Sequence, residues 1–222
     1  MNRSFWIHLV CSFCLIALLC DTAQAASLPF GAKKLANGDL QINDITVRTK
    51  ARELAFPVQF VLQQGALEVI LATPQGRLHE ALLSTTTKAV QVQSLLYLLN
   101  AKNGYRLPQK DKKQGDIIDI FLEWETKDGK IHREPVENWI LDLRTKKPLR
   151  PIGWVFVGSS VKNGKFMADQ EGNLILNYSV GETILDSPDH DSMDDTIHAV
   201  NSEKKQPSAK SNLKIIMAPR EK

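Results

Sequence analysis

Apolar and polar residues alternate along most of this chain, and the alternation predicts strands. "LQINDITVRT" places Leu40, Ile42 and Asp44 on one side of a strand, and "ITVRT" and "ELAF" frame a hairpin turn at Lys50-Ala51. "PVQFVLQQG" follows. "LEVILATPQG" then holds a continuous apolar run, as expected of a strand buried on both faces, ended by a turn at Pro74-Gln75-Gly76. "DIIDIFLEWET" is a long β-type run with a turn at Lys127 to Gly129 and a return arm in "KIHREPV". "ENWILDL" reads as a further strand or as a loop carrying a buried tryptophan, and "GWVFVGS" as a short buried strand. "GKFMAD" and "GNLILNYSV" continue a meander through turns at Asn163-Gly164 and Glu171-Gly172.

Only one stretch switches to the helical period. Val92, Leu95, Leu96 and Leu99 recur at i, i+3, i+4 and i+7, with Gln91, Gln93 and Ser94 on the other side. Thr86 or Thr87 is placed to cap this helix, and Asn103-Gly104 to end it. Many strands and one amphipathic helix give an α+β, mainly antiparallel β domain: a sandwich-like or meander sheet with the helix packed on it.

The two ends of the chain read differently. Met1-Asn2-Arg3 is a short positive start, Phe5 to Cys20 is nearly all apolar, and "TAQAAS" offers small residues at Ala23 and Ala25. That layout is a secretory signal peptide, residues 1–25, cleaved after Ala25, and it places the protein in the periplasm or outside the cell. The apolar core is shorter than the roughly 20 residues of a permanent span, so no transmembrane segment is expected after cleavage. A lipid anchor at Cys20 would want a small residue before it, and Leu19 is bulky. Residues 26–39 form a flexible lead-in, and residues 40–219 form a single domain. From Gly181 the composition turns acidic in "ETILDSPDHDSMDD" and then polar in "NSEKKQPSAKSN", before the apolar "LKIIMAP" at Leu213 to Pro219. A long polar loop, about 186–212, that returns to add an edge strand accounts for this order.

Cysteine usage narrows the chemistry. Cys11, Cys14 and Cys20 all lie in the leader, so the exported chain has no thiol for a disulfide, a thiolate zinc site or an iron–sulfur cluster, and no cofactor is expected. Loss of the leader removes Arg3 and Asp21 together, leaving the net charge at +3. With its lysines scattered, the chain has no nucleic-acid footprint.

Candidate chemistry starts at "QGRLHEALLS". His79-Glu80 suggests a zinc-peptidase helix, but a second histidine is required at position 83, which is Leu83. As a strand, the stretch puts Leu78, Glu80 and Leu82 on one face and Arg77, His79 and Ala81 on the other. His79 and Glu80 are the catalytic candidates, and His132 alongside them would complete a weak zinc set. "HREPVENWI" supplies a candidate binding surface for carbohydrate or peptide in Arg133, Glu137 and Trp139, although alternating charges there also suit cross-strand ion pairs. Trp124, Trp139 and Trp154 sit in apolar runs and are expected in the core. Asp119, Glu123 and Glu125 alternate on one strand face, which solvent exposure explains more simply than a glycosidase pair. "DSPDHDSMDD" lacks the glycine and glutamate of a calcium loop, "GSS" at Gly158 to Ser160 is no nucleophile elbow, and no phosphate-binding glycine loop appears.

Taken in order, "TPQGRLHEALL", "WETKDGKIHREPVENWI", "WVFVGS" and "FMADQEGNLI" resemble the YdjY-like domain of exported bacterial proteins. The likeness runs from about Leu40 to the end and includes "DDTIHAVN" leading to "LKIIMAP". It implies the returning strand but no established catalytic residues. Some members carry a ferredoxin-like label that implies a cysteine-held cluster, and this chain departs from it. The leading expectation is a binding or accessory module of the cell envelope. The alternative is a metal-assisted or acid–base hydrolase centred on His79, Glu80 and His132, and a third possibility is a purely structural envelope component.

Overall fold

A computed structural model describes residues 31–208 and 211–221. The signal peptide expected at residues 1–25 lies outside them. In chain order the strands are β1 (Lys33–Lys34), β2 (Leu40–Ile42), β3 (Ile45–Arg48), β4 (Glu53–Pro57), β5 (Gln59–Phe60), β6 (Val69–Ala72) and β7 (Ala81–Ser84). Helix α1 (Ala89–Leu98) follows. Then come β8 (Ile117–Glu125), β9 (Ile131–Pro135), β10 (Ile140–Asp142), β11 (Lys147–Pro148), β12 (Trp154–Phe156), β13 (Val161–Lys162) and β14 (Lys165–Phe166). A short helix α2 (Met167–Glu171) precedes β15 (Asn173–Leu176), β16 (Leu185–Asp186), β17 (His198–Val200) and β18 (Lys214–Pro219). The fold is thus α+β and rich in antiparallel sheet, with one long helix, as the hydrophobic pattern indicates. Among the described residues no helix is long and apolar enough to cross a membrane.

The main sheet runs β1-β2-β3-β4-β18-β8-β12-β16-β15-β6-β7-β5, with β9 added beside β8. Only Val58 separates β4 from β5, and its N–H donates to the Leu213 carbonyl at 3.1 Å. Residues 53–60 therefore act as one bent strand whose first half pairs β18 and whose second half pairs β7. The path leaves this strand and returns to it, so the sheet closes into a small barrel. Closure pairs the barrel strands on both sides and fills the interior with side chains, leaving β1 and β9 as the edges. Two ladders, β6–β7 and β15–β16, are parallel, and the other ladders are antiparallel. A smaller sheet, β11-β10-β17, lies beside the barrel, joined to it by the Ala66–Ala199 bridge.

The apolar runs explain the packing. All four residues of β6 are fully buried, as its continuous apolar sequence predicts, and so are Trp154, Val155 and Phe156 in β12. Val92, Leu95, Leu96 and Leu99 of the helical stripe face the same core, while Gln93 reaches across to Ser159, exchanging hydrogen bonds of 3.1 and 2.7 Å.

Several local expectations are corrected. "LQINDITVRT" is a hairpin rather than one strand, because Asn43 takes a left-handed φ of 53° and turns the chain between β2 and β3. The lead-in expected to be flexible holds β1, paired with β2. Helix α1 starts after Lys88, not at Thr86 or Thr87: Thr87 Oγ1 donates to Asp44 at 2.7 Å, and Asp169 of α2 accepts the Ala89 N–H at 2.6 Å. The helix also ends early, at Leu99, where Asn100 has φ 63° and Arg52 donates to the Leu99 carbonyl at 2.9 Å. Met167–Glu171 is helical rather than extended. The returning strand is not an edge: β18 lies between β4 and β8 and pairs with both.

Because Asp169 caps α1 from another element, Asp169→Ala is expected to cost about 1 kcal/mol, the usual worth of a cap. A urea midpoint shift, with faster amide exchange confined to the first turn of α1, is the check.

Candidate functional site

Neither His79 nor Glu80 is in a strand. Leu78–Glu80 forms a 3-10 turn, and extended backbone begins only at Ala81. The His79 side chain is 76% exposed, with Nε2 3.5 Å from Glu80 Oε1. Glu80 instead meets Glu68, whose carboxyl is raised chiefly by burial and then by the charge and hydrogen bond of Glu80, against the pull of Arg77. His132 stands on β9 and stacks on Trp124, ring centroids 5.6 Å apart at 25°. The bent strand, β18 and β8 separate it around the barrel from β7. Among the described residues no three His, Cys, Asp or Glu side chains come together as a metal would require. The three-residue centre His79, Glu80 and His132 is therefore not assembled.

The second candidate set also divides. Arg133 pairs with Glu53 at 2.7 Å and lies 4.1 Å over the Phe121 ring. Arg48 reaches Glu53 at 3.3 Å and also pairs with Glu123, whose carboxyl it holds below the ordinary range. Arg133 therefore belongs to a charge ladder across β3, β4, β8 and β9, the cross-strand arrangement that its alternating sequence suggests. Glu137 is only 2% exposed. Its Oε1 accepts the Gly153 N–H at 3.0 Å, and burial pushes its carboxyl up. It fixes a turn and presents nothing to a ligand.

Trp139 is fully buried against Phe60 and Trp124, with centroids 5.7 and 5.9 Å away, so it offers no ring for stacking. Among the described residues, the tryptophan that borders open space is Trp124. It is partly buried and lines a cleft of ≈ 910 Å³ together with Glu125, Thr126 and Lys127 at the end of β8, Glu134 of β9, and Lys204 to Ser208 on the far wall. Lys204 pairs with Glu134 and lies 5.2 Å over the buried Trp139 ring. Asn138 also donates to Glu134 at 2.8 Å. Burial alone would raise the Glu134 carboxyl, but these two donors hold it below the ordinary range. A second hollow of ≈ 690 Å³ lies on the other side of Gln206, Pro207 and Ser208, which border both. Gln206 anchors this wall by donating to the Leu62 carbonyl at 2.9 Å.

The acidic run is a loop with His190, Asp191, Asp194 and Asp195 exposed, but arginines hold it down. Arg144 binds Asp142 at 3.1 Å, Asp189 at 2.5 Å and Asp191 at 2.8 Å, and its own pKa is raised by those hydrogen bonds. Arg106 donates to Ser192 Oγ at 2.7 Å and to the Asp189 carbonyl at 2.8 Å. Ser187 and Ser192 are consequently fully buried. Next to this network lies His198, a residue that sequence reasoning missed, since a single histidine after an acidic stretch carries no motif. It is 2% exposed, and its Nδ1 is 2.8 Å from Asn177 Nδ2.

No family model matches the chain. No curated protein matches it, and no solved structure matches its fold.

Proposed function

We propose that this chain is an exported binding module of the cell envelope and that the Trp124 cleft holds a sugar-like polar ligand. The observation that carries this reading is a tryptophan bordering a cleft whose main charged pair, Glu134 and Lys204, is already neutralised. Sugar C–H faces pack on an aromatic ring, and sugar hydroxyls both donate and accept, so they can satisfy a carboxylate–ammonium pair without breaking it. A strongly charged ligand would have to separate the pair. The leader and the likeness to exported YdjY-like domains support the compartment.

The test uses protein labelled with 5-fluorotryptophan and soluble cell-wall oligosaccharides. Binding should shift the Trp124 fluorine resonance and leave Trp139 and Trp154 in place. Trp124→Ala should lower affinity about tenfold, the equivalent of roughly 1.4 kcal/mol of lost stacking and burial. A Trp124 resonance unmoved by every glycan, or moved only by extended peptides, would defeat the sugar reading. Amino-terminal sequencing of protein from its own host should begin at Ala26.

A further inference from the structure

His198 sits where a buried histidine can respond to acid. Asn177 Nδ2 donates to the Leu67 carbonyl at 3.2 Å, which fixes the orientation of the amide, and the same Nδ2 lies 2.8 Å from His198 Nδ1. Nδ1 must therefore accept, so the imidazole is neutral and carries its proton on Nε2. Among the described residues Nε2 and Asn177 Oδ1 are buried without a hydrogen-bond partner. The pair is thus held by one hydrogen bond that a proton on Nδ1 would turn into donor against donor. The amide cannot simply rotate, because Leu67 would lose its donor.

The charged groups facing the ring are Asp142 on β10, its cross-strand partner, and Arg144 and Asp189 beyond it. The two aspartates are engaged by Arg144, whose own charge opposes a second cation. From β17 a continuous run of hydrogen bonds leads to the cleft. Leu67 N–H donates to the His198 carbonyl at 3.1 Å, Val200 N–H to Gly65 at 2.9 Å, Asn201 N–H to Trp139 at 2.9 Å, and Lys204 N–H to Asn201 at 3.1 Å. Lys204 is the cleft wall.

We propose that protonation of His198 unlatches residues 198–204 from the barrel and loosens the cleft wall. The link to ligand binding rests on the cleft reading above, whereas the latch does not. Burial first, then Arg144, lowers the pKa of His198 in the folded protein against the weaker pull of Asp189 and Asp142. Above about pH 6.5 the ring is neutral in both latched and opened forms. As the pH falls through that value the opened form takes up the proton first, and its population rises by up to about tenfold per pH unit until the latched form is protonated as well.

Amide exchange on the mature chain, corrected for intrinsic rates, provides the test. Between pH 7.5 and pH 5.0 protection at Val200, Asn201 and Lys204 should fall about tenfold or more, while Ile216 in β18 stays constant. His198→Gln should flatten this dependence. The wild-type imidazole resonances give a second readout that needs no variant: the Nε2–H tautomer at pH 7.5 and a midpoint below 6.5. Equal protection at both pH values, loss at Ile216 in parallel, or the Nδ1–H tautomer would each overturn the latch. A latch that opens as described in protein that binds no glycan at either pH would leave it standing and remove the cleft reading instead.

Discussion

A chain ending at Asn212 is expected not to fold cooperatively. The lost residues include β18, the strand that joins β4 to β8, with four register pairs on one side and six on the other. Its Ile215, Ile216 and Met217 are fully buried. Burial of each such side chain contributes about 1.5–3 kcal/mol. Three together approach the whole net stability of a domain, about 5–15 kcal/mol. The barrel would also be left open, with two strands exposing unpaired backbone. Circular dichroism should show no sharp thermal transition, and size exclusion should show an expanded or aggregated chain. A synthetic peptide of residues 212–222 added in excess should restore the transition by occupying the gap. A truncated protein that melted sharply on its own would contradict the central placement of β18.

Gly115→Ala is expected to be among the most damaging single substitutions. A Cβ built at Gly115 falls 2.0 Å from the Phe156 carbonyl oxygen and 2.9 Å from the Gly104 N. Both obstacles are backbone. Gly104 N–H donates to that same Phe156 carbonyl at 3.0 Å, so β12 cannot retreat without losing the hydrogen bond that ties the loop at Gly104 to it. A loss of about 3 kcal/mol or more is expected, in the range of overpacking and broken buried hydrogen bonds. Gly164→Ala provides the contrast: its Cβ meets nothing within 4 Å, and the only cost arises from its φ of 72°. That cost is about 1 kcal/mol. Urea midpoints of the two variants should therefore separate clearly. Equal midpoints would mean that the Gly104, Gly115 and Phe156 contact is looser than described.

The hydrophobic pattern made some of this legible because it reports burial directly. The stripe Val92 to Leu99, the run Val69–Ala72, the β8–β9 hairpin and the return of Leu213 to Pro219 are all present. Pattern does not report sheet order. β18 looked like an edge because its two neighbours lie far away in sequence, at Glu53–Pro57 and Ile117–Glu125. The five residues of α2 are too few to display a helical period, so their sequence looks extended where a turn of helix stands. Asn43 reads as an ordinary polar position, and its left-handed φ reveals the turn only once the backbone is seen.

For the site, Trp124 and Trp139 carry the same sequence signal, an aromatic residue in an apolar stretch. The difference is position: Trp124 stands at a strand end beside the Thr126–Gly129 turn, whereas Trp139 is enclosed by Phe60, Trp124 and Lys204. A block of like charges repels itself and gives no sign in sequence of being held down. Its counter-charges, Arg106 and Arg144, come from distant segments that no local window includes.

Closure of the barrel through β18, which follows both of its partner strands in the chain, also sets a timetable. A polypeptide delivered amino-terminus first, from a ribosome or through a translocation pore, cannot complete the β4–β18–β8 seam until Lys214–Pro219 emerges. Until then both flanking strands wait with unsatisfied backbone, and the long loop between partners keeps assembly slow. Such a chain remains threadable while β18 is withheld and locks only once that strand is free to pair. Any partner that shields Glu53–Pro57 or Ile117–Glu125 in the meantime would act as a chaperone for this fold.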